Sequence, residues 1–278
     1  MQVLKIMGRS LKSLLVVLAV IAGLFLASCG GEYNRIQKSG DAQTKYEAAM
    51  KYYKSADYIK ALQLFEQLLS VYRGTEKAED ISYYYAYCNY YVGDYVMAGF
   101  YFNTYFHTYP HTKRAEETEF MKAFCEYLLS PTYSLDQTDT KKAIEAFQTF
   151  VDDYPNSDKL KECNKYIDLL RDKLEKKYFE IAKGYYITEN YREASYALTN
   201  YVKAYPNSRY NEEATFLVEK CDYLYASNSV EWQKKARLDK VIQDYLKFVD
   251  SYPKSDLLKQ AENLYNNALN TEKNLVKS

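Results

Sequence analysis

Cysteine and histidine have the widest chemical range in this chain, and their spacing limits what they can do. Cys88, Cys125 and Cys221 each begin a Cys-[Asn/Glu/Asp]-Tyr triplet. Such thiols could form disulfides or hold a metal ion. His107 and His111 are the only histidines, and an i, i+4 pair on one helix could ligate zinc. Pro110 lies between them and should end that helix, turning His111 off the shared face. No cysteine or acid cluster joins them at metal-ligand spacing. Glu116-Glu117 and Asp152-Asp153 are adjacent pairs, which diverge on a helix and suit solvation rather than paired acid–base work. The sequence contains no G-x-S-x-G elbow, Walker loop or dinucleotide fingerprint. No catalytic residue, cofactor or metal is expected, and the chain reads as a non-enzyme.

The elements that carry these residues repeat. A small apolar residue, a large one four later and a Tyr seven beyond recur five times: Ala61/Phe65/Tyr72, Ala98/Phe102/Tyr109, Ala143/Phe147/Tyr154, Ala194/Leu198/Tyr205 and Val241/Tyr245/Tyr252. In the last four sets Pro follows the Tyr and should close a helix. Apolar residues keep helical spacing, so the expected class is all-α. The pattern matches the second helix of a tetratricopeptide (TPR) repeat, A-x₃-F…P. The small residue lets two helices approach, and the large one fills the hole beside it. Asp57, Asp94, Asp139 and Asn190, each four before the Ala, are candidate helix N-caps. The expected architecture is a TPR solenoid of about five helical hairpins with a C-terminal capping helix after Pro253. An extra loop is expected over Ser130 to Gln137, and a second lengthening near Ala226 to Lys235. A long helix should run from about Asp158 to Tyr186. Cys88, Cys125 and Cys221 each fall 16 residues after a repeat Tyr. Equivalent positions in stacked repeats sit roughly 10 Å apart, too far for a bridge, so small-residue packing is the favoured reading.

The N-terminus has the pattern of an export leader. Lys5, Arg9 and Lys12 precede an apolar run from Leu14 to Leu26, ending in Leu26-Ala27-Ser28-Cys29. The run is short for a membrane span. The tetrapeptide resembles the lipobox of bacterial lipoproteins, which implies cleavage before Cys29 and lipidation of that residue. Gly30 and Gly31 follow, without the Asp that marks inner-membrane retention, so an outer-membrane anchor facing the periplasm is expected. The expected organisation is a signal peptide over 1–28 and a flexible tether over 29–41. Repeats one to three then occupy 42–157, and repeats four and five, with the long and capping helices, occupy 158–278. Basic and acidic residues balance at 37 each, and loss of the leader leaves a slightly acidic chain with no nucleic-acid footprint.

Tyrosine is the abundant aromatic, 33 in all, and its register suggests a surface. First helices of TPR hairpins line a concave groove through positions i, i+4 and i+7. That projection selects Tyr46, Met50 and Tyr53, then Tyr83, Tyr87 and Tyr90, then Phe120, Phe124 and Tyr127, and finally Phe179, Lys183 and Tyr186. The first three sets would make an aromatic wall with little charge, suited to a peptide with apolar or aromatic anchors. Packing between neighbouring helices suits the same rings equally well.

The lipobox, the five repeats, the third-repeat loop and the long helix together resemble the BamD family of the bacterial β-barrel assembly machinery. The most specific stretches are Ala143 to Ser157 (AIEAFQTFVDDYPNS) and Leu169 to Tyr186 (LLRDKLEKKYFEIAKGYY). The resemblance implies a non-enzymatic scaffold whose partners are the POTRA region of BamA, unfolded outer membrane protein segments and accessory lipoproteins. It associates N-terminal repeats with substrate or accessory segments and C-terminal repeats with BamA. The heavy Tyr content and the Cys-x-Tyr triplets depart from better-known members, so individual contacts are not carried over. Two other non-enzymatic readings compete: a periplasmic TPR scaffold of the cell-division coordinator type, and a SusD-type glycan-binding lipoprotein.

Overall fold

The computed structural model describes residues 31–275, all helices and connections, with no strand among them. The leader and Cys29 lie outside the described residues. A short helix, α1, covers 31–38. It is followed by α2 (Ala42–Lys54), α3 (Tyr58–Val71), α4 (Lys77–Tyr91), α5 (Tyr95–Thr108), α6 (Ala115–Leu129) and α7 (Thr138–Asp153). The rest of the chain forms α8 (Leu160–Ile187), α9 (Tyr191–Ala204), α10 (Asn211–Ser227), α11 (Glu231–Ser251) and α12 (Leu258–Leu275). The five sequence sets fall on α3, α5, α7, α9 and α11, and the fold is of the all-α TPR type. Ala61, Phe65, Ala98, Phe102, Ala143, Phe147, Ala194, Leu198 and Val241 are fully buried, as a helix-crossing role requires.

The chain divides into two compact units. The first holds the described residues up to Leu129 together with Thr149–Pro155; the second holds Ser130–Gln148 and the residues from Asn156 onward. This division differs from a boundary near residue 157, and side-chain packing explains it. In the first unit Phe150 meets the Phe120 ring edge-on at 5.7 Å. In the second, Phe147 stacks on Tyr166 at 5.3 Å, and the Lys173 ammonium donates to Ser130 Oγ at 2.6 Å.

The first unit is built on α2 to α6. Its core gathers Ala49, Leu64, Phe65, Leu68, Ile81 and Cys88. Where a flexible tether was expected over 29–41, the chain is helical over 31–38. Tyr33 and Ile36, three apart on one helix face, pack against that core. The Tyr33 ring lies 5.7 Å from Tyr52, and its hydroxyl donates to Gln63. No periodic signal marks so short a helix; docking selects it.

Hairpin turns need a left-handed residue, and φ is positive at Ala56, Gly93 and Glu189, the equivalent turn positions. Of the candidate N-caps, only Asp94 behaves as one, its carboxylate accepting from the Met97 N–H at 3.0 Å. Asp57 and Asn190 stand at the cap position without a side-chain cap bond. Asp139 lies inside the first turn of α7; Asp136 instead accepts from the Thr138 N–H at 2.8 Å.

In the second unit the expected loop spans the residues between α6 and α7, held by Gln137, whose amide donates to the Thr132 and Leu135 carbonyls. The long helix α8 has 28 residues, about 42 Å at the α-helical rise. The second expected lengthening is taken up mostly by helix, since α11 already begins at Glu231 and runs 21 residues. The capping helix α12 buries Ala261 and Ala268, and Tyr265 stacks on Tyr245 at 4.4 Å.

Candidate functional site

The eight aromatic residues of the first three projected sets lie in the first unit, on α2, α4 and α6, but they differ in depth. Tyr87 and Phe120 are buried. The Tyr87 ring meets Phe102 edge-on at 4.9 Å, so these two positions pack the unit and are not open to a ligand. Tyr46, Tyr53, Tyr83, Tyr90, Phe124 and Tyr127 stay half-exposed. Tyr90 and Phe124 join α4 to α6 with ring centres 6.3 Å apart, and Phe124 stacks on Tyr127 at 5.8 Å. Tyr46 pairs with Tyr72 at 6.5 Å, beside a shallow depression that it shares with Met50. Tyr53 turns toward the α2–α3 hairpin end, edge-on to Tyr84 at 4.8 Å. The strip with continuous aromatic contact therefore runs through Tyr83, Tyr87, Tyr90, Phe124 and Tyr127. In the second unit, Phe179 is buried against Tyr201 and Tyr210, and Lys183 pairs with Glu213 at 2.6 Å.

The strip carries more charge than expected. Glu117 accepts the Tyr83 hydroxyl at 3.0 Å with one oxygen and the Tyr87 hydroxyl with the other. The Arg114 guanidinium lies 4.3 Å from the Tyr83 ring centre and pairs with Asp80. Burial, then the Glu117 charge, pushes the Tyr83 phenol up to about 12. Burial and the Glu117 hydrogen bond push Tyr87 higher still. Both phenols remain proton donors at any physiological pH, which fixes their rings against Glu117. Sequence reasoning assigned Glu117 to solvation. The available signal was its offset from Tyr83, 34 residues, one TPR period.

A second polar site lies in the second unit, where Arg192, Ser195, Tyr196, Asp222, Arg237 and Asp244 line a cavity of about 360 Å³. Asp222 accepts from Ser195 Oγ at 2.9 Å and from the Lys240 ammonium at 2.7 Å. Burial, and then Asp222, pushes the Asp244 carboxyl up. Sequence reasoning did not find this group, because nothing in the repeat register marks a buried acid.

Cys88, Cys125, Cys163 and Cys221 are free and fully buried. Burial pushes the thiols of Cys88, Cys125 and Cys221 up to about 12, which suits packing rather than nucleophilic work. A Cβ placed on Gly99 would lie 3.4 Å from the Cβ of Cys125, so a close helix approach sets the size of that side chain. Among the described residues no group of three or more His, Cys, Asp or Glu could hold a metal ion. His107 sits on α5 against Phe106, while His111 lies in the following turn.

Among solved structures, the TPR2AB-domain:pHSP90-complex of yeast Sti1 aligns at 15 % identity, covering 82 % of this chain and 98 % of that one, with a TM-score of 0.41. The apo form of RapI aligns at 12 % identity over 85 % of this chain and 99 % of that one, with a TM-score of 0.30. No curated protein sequence matches. Among the described residues no helix is long and apolar enough to cross a membrane. The model of the YfiO family, described as outer membrane lipoprotein, matches residues 38–191, from the end of α1 to the start of α9. This chain, with its TPR hairpins, belongs to the YfiO family of outer membrane lipoproteins.

Proposed function

We propose that this protein is a non-enzymatic scaffold of the outer membrane β-barrel assembly machinery, of the BamD type, anchored through a lipid on Cys29 and facing the periplasm. The first unit holds segments of unfolded outer membrane proteins along the Tyr83–Tyr90–Phe124–Tyr127 strip. The second unit serves the POTRA region of BamA, and accessory lipoproteins complete the assembly. One observation carries the reading: an aromatic strip, half-open to solvent, in which Glu117 holds the phenols of Tyr83 and the buried Tyr87. Rings held in place lose little freedom on binding and offer a large contact area to the apolar and aromatic residues that close barrel targeting signals. Family membership supports the location, and the TPR hairpins support a binding role over a catalytic one.

The test separates binding from folding. Tyr90→Ala with Phe124→Ala removes half-exposed rings and spares the buried Tyr87 and Phe120. This pair should weaken capture of a peptide ending in aromatic residues by at least about tenfold, since interface aromatics each contribute about 1–2 kcal/mol or more. The melting transition of the first unit should persist. Unchanged peptide affinity would defeat the strip as the binding face. A detergent pull-down of the native lipoprotein from outer membranes that lacks BamA would defeat the assembly role, and retention of carbohydrate would favour the glycan-binding alternative.

A further inference from the structure

The hairpin end of the first unit exposes apolar side chains where the other repeats carry charge. Two residues before the small residue of the repeat register stand Ile59 in repeat one and Val96 in repeat two; the equivalents in repeats three, four and five are Lys141, Arg192 and Asp239. Ile59 is 64 % exposed and Val96 62 %. Val92 adds to the surface at a position that is Ser55, Gln137, Thr188 or Lys235 in the other repeats. Helix α5 itself (YVMAGFYFNTYFHT) has no Asp, Glu, Lys or Arg, and it also exposes Phe100. A surface helix this apolar is expected to be covered. The residues form one end of the unit, because Tyr58, next to Ile59, stacks on Tyr91, next to Val92, at 4.3 Å.

The same end holds the start of the described chain. Tyr33 is fixed there by Tyr52, Gln63 and the Lys60 ammonium, which lies 5.9 Å from its ring. Cys29 is four residues earlier in sequence, and four residues of fully extended chain span at most roughly 14 Å between Cα atoms. A lipid on Cys29 therefore holds this end, and not a distant domain on a loose leash, against the bilayer. We infer that the hairpin end formed by Ile59, Val92 and Val96 is a membrane-docking face that rests in the lipid interface beside the anchor; this rests on the reading of Cys29 as lipidated. Apolar side chains at that depth replace water with acyl chains and add to the anchor's own binding.

The experiment uses the full-length lipidated protein in vesicles of phosphatidylethanolamine and phosphatidylglycerol. An environment-sensitive fluorophore is placed on single cysteines made by Ile59→Cys, Val96→Cys or, in the turn beyond the far end of α5 about 20 Å away, Lys113→Cys. Among the described residues the four native thiols are buried and stay unlabelled in the folded protein, and a lipidated Cys29 offers no free thiol. Brominated lipids should quench and blue-shift the probes at 59 and 96 and leave the probe at 113 unchanged. Flotation with vesicles but equal or absent quenching at the three sites would leave lipidation standing and overturn the docking face. A blue shift at 59 and 96 that depends on protein concentration and not on lipid would assign the face to a second copy of this chain, and also overturn it. An unmodified Cys29 by mass spectrometry, with no flotation, would overturn both readings.

Discussion

Glu219 should make the second unit lose stability as pH rises. Its side chain lies between α10 and α11, fully buried, with neither carboxylate oxygen hydrogen-bonded. Burial, reinforced by Asp244, pushes its carboxyl from an ordinary value of 4.5 up to about 8. Between those values the folded chain keeps a proton that the unfolded chain has lost. Its stability contribution is complete below pH 4.5 and declines as pH climbs through about 8, then levels. Each pH unit in the window is worth about 1.4 kcal/mol per proton, so the whole span amounts to on the order of 5 kcal/mol. Asp244, raised by burial and by Asp222, acts in the same direction at lower pH, while Lys240 and Lys247 oppose it. Glu219→Gln keeps the shape and removes the charge. Urea unfolding followed by circular dichroism from pH 5 to pH 9, at constant ionic strength, should place the variant within about 1 kcal/mol of the parent at pH 5. At pH 9 the variant should be the more stable by roughly 4 kcal/mol. Parallel stability curves for the two proteins would refute the reasoning, since they would mean that Glu219 ionises freely in the folded state.

Two further outcomes follow from backbone and thiol geometry. Ala56 holds φ 60 in its hairpin turn, and Ala56→Gly should raise the unfolding midpoint by the equivalent of about 0.5–1 kcal/mol, less than the full left-handed penalty because glycine also frees the unfolded chain. Four thiols, those of Cys88, Cys125, Cys163 and Cys221, should resist a thiol reagent in the native protein and react together in denaturant; fast native labelling of any one would show that its helix pair is open.

The repeat register was readable because each hairpin makes the same internal contact. A small residue at a helix crossing and a large one a turn later are dictated within a single repeat, so Ala61/Phe65 and Ala98/Phe102 reveal their burial through period alone. Depth on the aromatic face was not readable. Tyr83, Tyr87 and Tyr90 share a register, but the rotation of α4 against α5 sends Tyr87 into the Phe102 ring and leaves its neighbours half-open. Glu117 escaped notice because its role is created by two phenols from the preceding repeat. Helix α1 escaped for a related reason: only its dock on Tyr52 and Gln63 makes so short a polar stretch helical. The acids Glu219, Asp222 and Asp244 converge from α10 and α11, and no spacing along either helix announces a carboxyl that faces inward.

The four separate, buried cysteines set a race during biogenesis. A chain that crosses into an oxidising envelope unfolded offers every thiol to every other, and four thiols can mispair in several ways before helices form. None of these pairings exists in the folded units. Native order is therefore protected by speed. Helical hairpins close from contacts near in sequence, the topology that folds fastest, and each closure withdraws a thiol from exchange. The repeat architecture thus does for this chain, through folding rate, what a disulfide framework does for other exported proteins through covalent bonds.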